Sequence, residues 1–160
     1  MDFCDFNLLD VTSCTSCGFS TNILENFRSQ SNRNAPFNVE QFQEGWEERM
    51  KSLLEKTTDP AAFMSEERDL EMALLSYDLA IETHKRLSEV AETPYANVRK
   101  MASLNMVKAE MLSEAGRIDE AKAALKKVIE WLEPIFEQLD KEEIIKACLL
   151  LFRLKVYFKD

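Results

Sequence analysis

The chain has 160 residues, 46 % of them hydrophobic and 31 % charged, a balance that belongs to a globular protein rather than a disordered one. Only three glycines and four prolines punctuate it, which favours long helices and disfavours a strand-rich fold with many tight turns. Its formal charge of −9 repels phosphate backbones and anionic lipid, so neither nucleic acid nor membrane is an expected partner.

The opening "MDFCDFNLLD" carries acids where a secretory leader carries Lys or Arg. The longest apolar run, "ACLLLF" at 147–152, is too short to span a bilayer. The expected location is therefore cytoplasmic. There Cys4, Cys14, Cys17 and Cys148 are expected as thiols or metal ligands, not as a disulfide framework.

Residues 1–28 form an N-terminal cysteine segment. Its centre, "SCTSCGFS", places Cys14 and Cys17 three apart with Gly18 directly after. A C-x-x-C turn offers two thiolates on one side, and a following glycine lets backbone amides point at sulfur. This is half of a tetrahedral zinc site, expected in a surface turn. The expected ligands are Cys14, Cys17 and, as a third, Cys4, with structural zinc as the cofactor. Two more distant residues compete for the vacant positions. His84 lies on an apolar helical stripe and reads as a packed histidine, and Cys148 lies in "KACLLLF" and reads as a buried thiol. A thioredoxin-like redox pair is the rival reading, but no α/β pattern surrounds the motif.

Residues 29–38, "SQSNRNAPFN", are polar and turn-prone and read as a linker. From residue 39 to 160 the periodicity is helical. A first helix is expected from Asn38, with Gln41 as its capping-box partner and Val39, Phe42, Trp46, Met50 and Leu53 as its stripe. "TTDPAAF" ends it. A second helix is expected from about Ser65, with Leu70, Leu74, Tyr77, Ile81, His84 and Leu87 inward. Pro94 opens a third that runs to Ala115, and Gly116 stops it. A fourth carries Ile118, Ala121, Leu125, Val128, Leu132, Ile135 and Leu139, bent or ended by Pro134. A fifth follows Asp140, with Glu143 answering the cap. Short joins between consecutive helices force antiparallel neighbours, so the expected fold is all-α, built of stacked helical hairpins.

"DLEMALLSYDLAIE" and "RIDEAKAALKKVIE" share a spacing: Ala73, Tyr77 and Ala80 in one, Ala121, Leu125 and Val128 in the other. With Ala109, Leu112 and Gly116 this resembles tetratricopeptide repeats, whose small residues let paired helices approach closely. The distance from Ala73 to Ala121 is 48 residues against a standard period of about 34, and Asn105 stands where an aromatic is expected. Long, divergent repeats fit this pattern; a plain amphipathic bundle is the alternative.

In order, "SCTSCGFSTNILENF", "RDLEMALLSYDLAIE" and a long helical pair resemble an uncharacterised bacterial family, domain of unknown function 2225. Its members carry two N-terminal cysteine knuckles ahead of a tetratricopeptide-like helical domain. The resemblance spans most of residues 9–139 and implies that Cys14 and Cys17 are the second knuckle. No C-x-x-C precedes them here, so the first is expected to lie outside the chain or to be lost.

Little points to catalysis. Three glycines cannot build a phosphate loop, and a single histidine leaves few nucleophile–base schemes. Carboxylate runs such as "MSEERDLE" and "DKEE" read as solvated faces, and Met101, Met106 and Met111 as core. The expected function is a non-enzymatic interaction and scaffold module that binds a partner peptide or helix in its helical groove. The alternative is a metal- or thiol-dependent regulator or enzyme using the C-x-x-C pair. Finally, "EEIIKACLLLFRLKVYF" is apolar all round, so its outer face is expected to be covered, by the N-terminal segment or by a second subunit in a homodimer.

Overall fold

The computed structural model describes residues 10–14, 17–22, 39–55, 68–91, 94–139, 144–145, 147–150, 152 and 154. The chain divides into two compact units, Met1–Pro94 and Tyr95–Asp160. Helices dominate both. The strands among the described residues are one two-residue pair, so the fold is all-α.

In the first unit, β1 (Thr12–Ser13) and β2 (Ser20–Thr21) pair antiparallel, Thr12 opposite Thr21 and Ser13 opposite Ser20. Where one helix is expected from Asn38, two are found: α1 (Val39–Gln43) and α2 (Trp46–Leu54). The break is at Gly45, whose φ of 69° is left-handed and ends helical propagation. The Arg86 guanidinium accounts for the carbonyls freed there. It donates to Phe42 O at 3.1 Å, to Glu44 O at 3.0 Å and to Gln41 O. The apolar stripe survives the break, and Phe42, Trp46 and Met50 bury together with Leu79 and Leu87.

Those last two belong to α3 (Leu70–Val90). This helix starts later than Ser65, a position outside the described residues, because Asp69 is extended and its carboxylate accepts the Met72 N–H at 2.8 Å. Such a cap is worth about 1 kcal/mol. The expected positions Leu74, Tyr77, Ile81, His84 and Leu87 are buried. So are Ala73, Ser76, Leu79, Ala80 and Thr83, so α3 is covered around most of its circumference.

The second unit contains most of α4 (Pro94–Glu114) and α5 (Ile118–Leu132). They are joined at Gly116, φ 75°, where Arg117 N–H donates to Leu112 O at 2.8 Å and Gly116 N–H to Ser113 O at 3.0 Å. This doubly bonded left-handed stop is what the glycine implied. The turn brings Ala102 against Val128 and Leu132, and lets the buried Asn105 donate to Ala124 O at 2.7 Å. Ile118, expected in the core, is 43 % exposed because it stands at the first turn, before the buried stripe of Ala121, Ala124, Val128 and Leu132 begins. Pro134 ends α5, and Glu133–Gln138 tightens into a 3-10 helix.

The described positions between 144 and 154 are helical. Ala147 and Leu154 are buried, with Leu154 and the half-buried Leu150 against Ala102, Val128 and Leu132. Cys148, expected to be buried, is exposed. The inward face is set by positions 147, 150 and 154, which leaves Cys148 on the opposite side with Ile145, Leu149 and Phe152, exposed by 61, 56 and 69 %. The linker at 29–38, Asp140 and Glu143 lie outside the described residues.

Candidate functional site

The short strands exist to hold the turn between them. Cys14 N–H donates to Phe19 O at 2.8 Å and Gly18 N–H donates to Cys14 O at 2.8 Å. The chain reverses at Gly18, whose φ of 70° a side-chain-bearing residue adopts only with strain. Ser20 Oγ closes the base of the turn, 2.7 Å from Ser13 Oγ and 2.9 Å from Gly18 O.

This geometry sets the two thiols side by side. Cys14 is half-buried and Cys17 exposed, and neither is in a disulfide. Although Cys17 as a residue faces water, partial burial of its sulfur pushes the thiol pKa up. A hydrogen bond from the Phe19 N–H pulls it back, and hydrogen bonding and charge repulsion with Cys14 raise it again. The sulfurs are thus within hydrogen-bonding reach of each other. Cys4, the expected third ligand, lies outside the described residues. No group of three or more His, Cys, Asp and Glu side chains among the described residues is arranged to hold an ion. His84 is buried on α3 at 2 % exposure and Cys148 lies in the second unit.

The turn is clamped to helices by residues whose role the sequence did not announce. Trp46 Nε1 on α2 donates to Cys17 O at 2.7 Å. Met50, one turn on, lies under Gly18, where an added Cβ would stand 2.9 Å from its sulfur. Ser20 N–H donates to Thr83 Oγ1 on α3 at 3.1 Å, and Arg68 Nη1 donates to Val11 O at 2.7 Å. Trp46 and Met50 read from the sequence only as apolar stripe; pairings across 29 to 63 residues have no local signal.

A family model described as an uncharacterized protein conserved in bacteria, DUF2225, matches residues 4–156. The chain belongs to the DUF2225 family. No curated protein and no solved structure matches it. The DUF2225 match takes in Cys4, the cysteine turn and most of both units. No helix among the described residues of this DUF2225 chain is long and apolar enough to cross a membrane.

Proposed function

We propose that this DUF2225 chain is a non-enzymatic, cytoplasmic protein–protein interaction module that takes a peptide or helix of a partner protein on its helical surface. The observation that carries the reading is the exposed stripe Ile145, Leu149 and Phe152, with Cys148 beside it. Spacings of four and three residues put these side chains in one line, the form in which a helix offers itself to another helix. A cavity of about 160 Å³ in the same unit supports it, lined by Ala102, Met106, Leu132, Leu139, Ala147 and Leu150. That is room for one or two inserted side chains. The burial of Ala73, Tyr77, Ala80, Ala109, Leu112 and Ala121 is also in keeping with closely paired, tetratricopeptide-like helices.

The test is charge on the stripe. Ile145→Asp and Phe152→Asp are expected to fold as the parent does, by circular dichroism, because both positions face water. They are expected to abolish association, whether with a second copy, read as mass by light scattering, or with a partner trapped by a photo-crosslinker at position 149. Unchanged association in both variants overturns the reading. A metal- or thiol-dependent regulator acting through Cys14 and Cys17 is the second reading, favoured by the adjacency of the two thiols.

A further inference from the structure

We propose that the cavity of the second unit takes one apolar side chain of a partner peptide, and that Arg99 at its mouth holds a carboxylate lying one helical turn from that anchor. This rests on the interaction-module reading and names the chemistry of the partner.

The cavity exists because two elements meet through small residues. Ala102 of α4 and Ala147 of the C-terminal helical stretch stand in its wall, where larger side chains would close it. Met106 and three leucines complete the apolar part of the lining. The volume of about 160 Å³ is close to the ~150 Å³ that a benzene ring fills. It is well below the ~300 Å³ at which cofactor and small-molecule sites begin. One Phe or Leu side chain therefore fits, and a cofactor does not.

The polar groups at the mouth select what lies beside that side chain. Arg99, Ser103 and Met106 follow one another on α4 at spacings of four and three, so they form one line of about 10 Å from charged to apolar. Arg99 and Ser103 are exposed and Met106 is half-buried, which puts the charge at the open end. Arg99 is the one charged residue in the lining among the described residues. Between Pro94 and Ala109 the sequence of α4 carries no acid, and Lys100 adds a positive charge next to Arg99. The net charge of −9 is spread over the chain and screened beyond about 8–10 Å, so at contact the guanidinium decides the sign. A guanidinium has five N–H donors, so Arg99 can accept a carboxylate in addition to the interaction it makes within the chain. The fitting partner is an acidic peptide with an apolar anchor, and a Lys in place of its carboxylate is rejected.

The experiment uses the full chain with methyl-labelled methionine, so that the Met106 methyl resonance reports on the cavity. The probes are hydrocinnamate, its cationic counterpart phenylpropylamine, and two capped alanine-based peptide helices. Each helix carries one Phe with either Glu or Lys one turn away. Hydrocinnamate and the Glu peptide are expected to shift Met106, and to bind about three- to fivefold more tightly than the amine and the Lys peptide. Arg99→Gln is expected to erase that preference. Ala147→Leu, which fills the cavity, and Ser103→Phe, which covers its mouth from an exposed position, are expected to abolish the shift. No Met106 shift with hydrocinnamate overturns the site, as does a shift that survives plugging. Equal binding of acid and amine overturns the role of Arg99. Hydrocinnamate binding without binding of either peptide overturns the partner. If Ala147→Leu fails to fold, Ser103→Phe decides. The stripe of Ile145, Leu149 and Phe152 lies on the other side of its helix, so its aspartate variants are expected to keep the Met106 response. Loss of association in those variants with no probe binding in the parent overturns this inference alone. Probe and peptide binding with association unchanged in them overturns the stripe alone and supports the cavity.

Discussion

Gly18 and Gly116 share a left-handed backbone, with φ of 70° and 75°, but not a neighbourhood. An added Cβ at Gly116 meets nothing within 4 Å, whereas at Gly18 it meets the Met50 sulfur at 2.9 Å. Alanine at Gly116 therefore costs the backbone strain alone, about 1–2 kcal/mol. Alanine at Gly18 adds the displacement of a buried side chain, for a total of about 2–4 kcal/mol. Urea titration of the two variants measures the difference. Equal losses would mean that Met50 yields freely and does not brace the cysteine turn.

The contact between α2 and α3 is partly ionic. Arg49 lies 3.3 Å from Glu82 and 2.9 Å from Glu89, and Arg86 reaches Glu89 at 3.0 Å while holding the carbonyls around the end of α1. Partial burial raises the Glu89 pKa, but the hydrogen bonds from Arg49 and Arg86 and their charges outweigh it and hold the carboxyl below its ordinary 4.5. A depressed folded-state pKa gives stability that is complete above the unfolded value. It is lost as pH falls through the folded one. The first unit is thus expected to weaken below about pH 4.5. Water reaches this pair, so the contribution is about 0.5–1 kcal/mol. Glu89→Gln should lower the melting temperature slightly at neutral pH and flatten the acid limb. Thermal melts between neutral and acid pH check it; an unaltered acid limb would assign the loss to other carboxylates.

Over the whole molecule, a charge of −9 accompanies an apolar stripe whose Ile145, Leu149 and Phe152 side chains are exposed. Covering the exposed parts of Ile145, Leu149 and Phe152 would gain about 3–5 kcal/mol. Alone that corresponds to roughly millimolar affinity, so a tight partner must reach further, into the neighbouring cavity for example. Two copies meeting through the stripe would also oppose like charges, which salt screens. Self-association is therefore expected to strengthen with added salt, by sedimentation velocity. A basic partner helix would show the opposite trend.

The all-α class, the stop at Gly116 and the buried line through Leu74, Tyr77, Ile81 and Leu87 were all legible in the sequence, because each depends on residues within a turn or two of one another. Other features were decided between elements. Gly45 read as one more residue of a helix, yet it divides α1 from α2 where Arg86, more than forty residues on, gathers the nearby carbonyls. Cys148 sits in an apolar run that shows no preferred face, and only packing of Leu150 and Leu154 against Ala102 and Leu132 turned it to solvent. Asn105 occupies a place where the repeat pattern asks for an aromatic, and its reason is a carbonyl on the next helix. Periodicity determined which residues are helical and which lines are apolar; tertiary structure alone decided what those lines meet, since a contact such as Trp46 on Cys17 depends on the path of the chain between them.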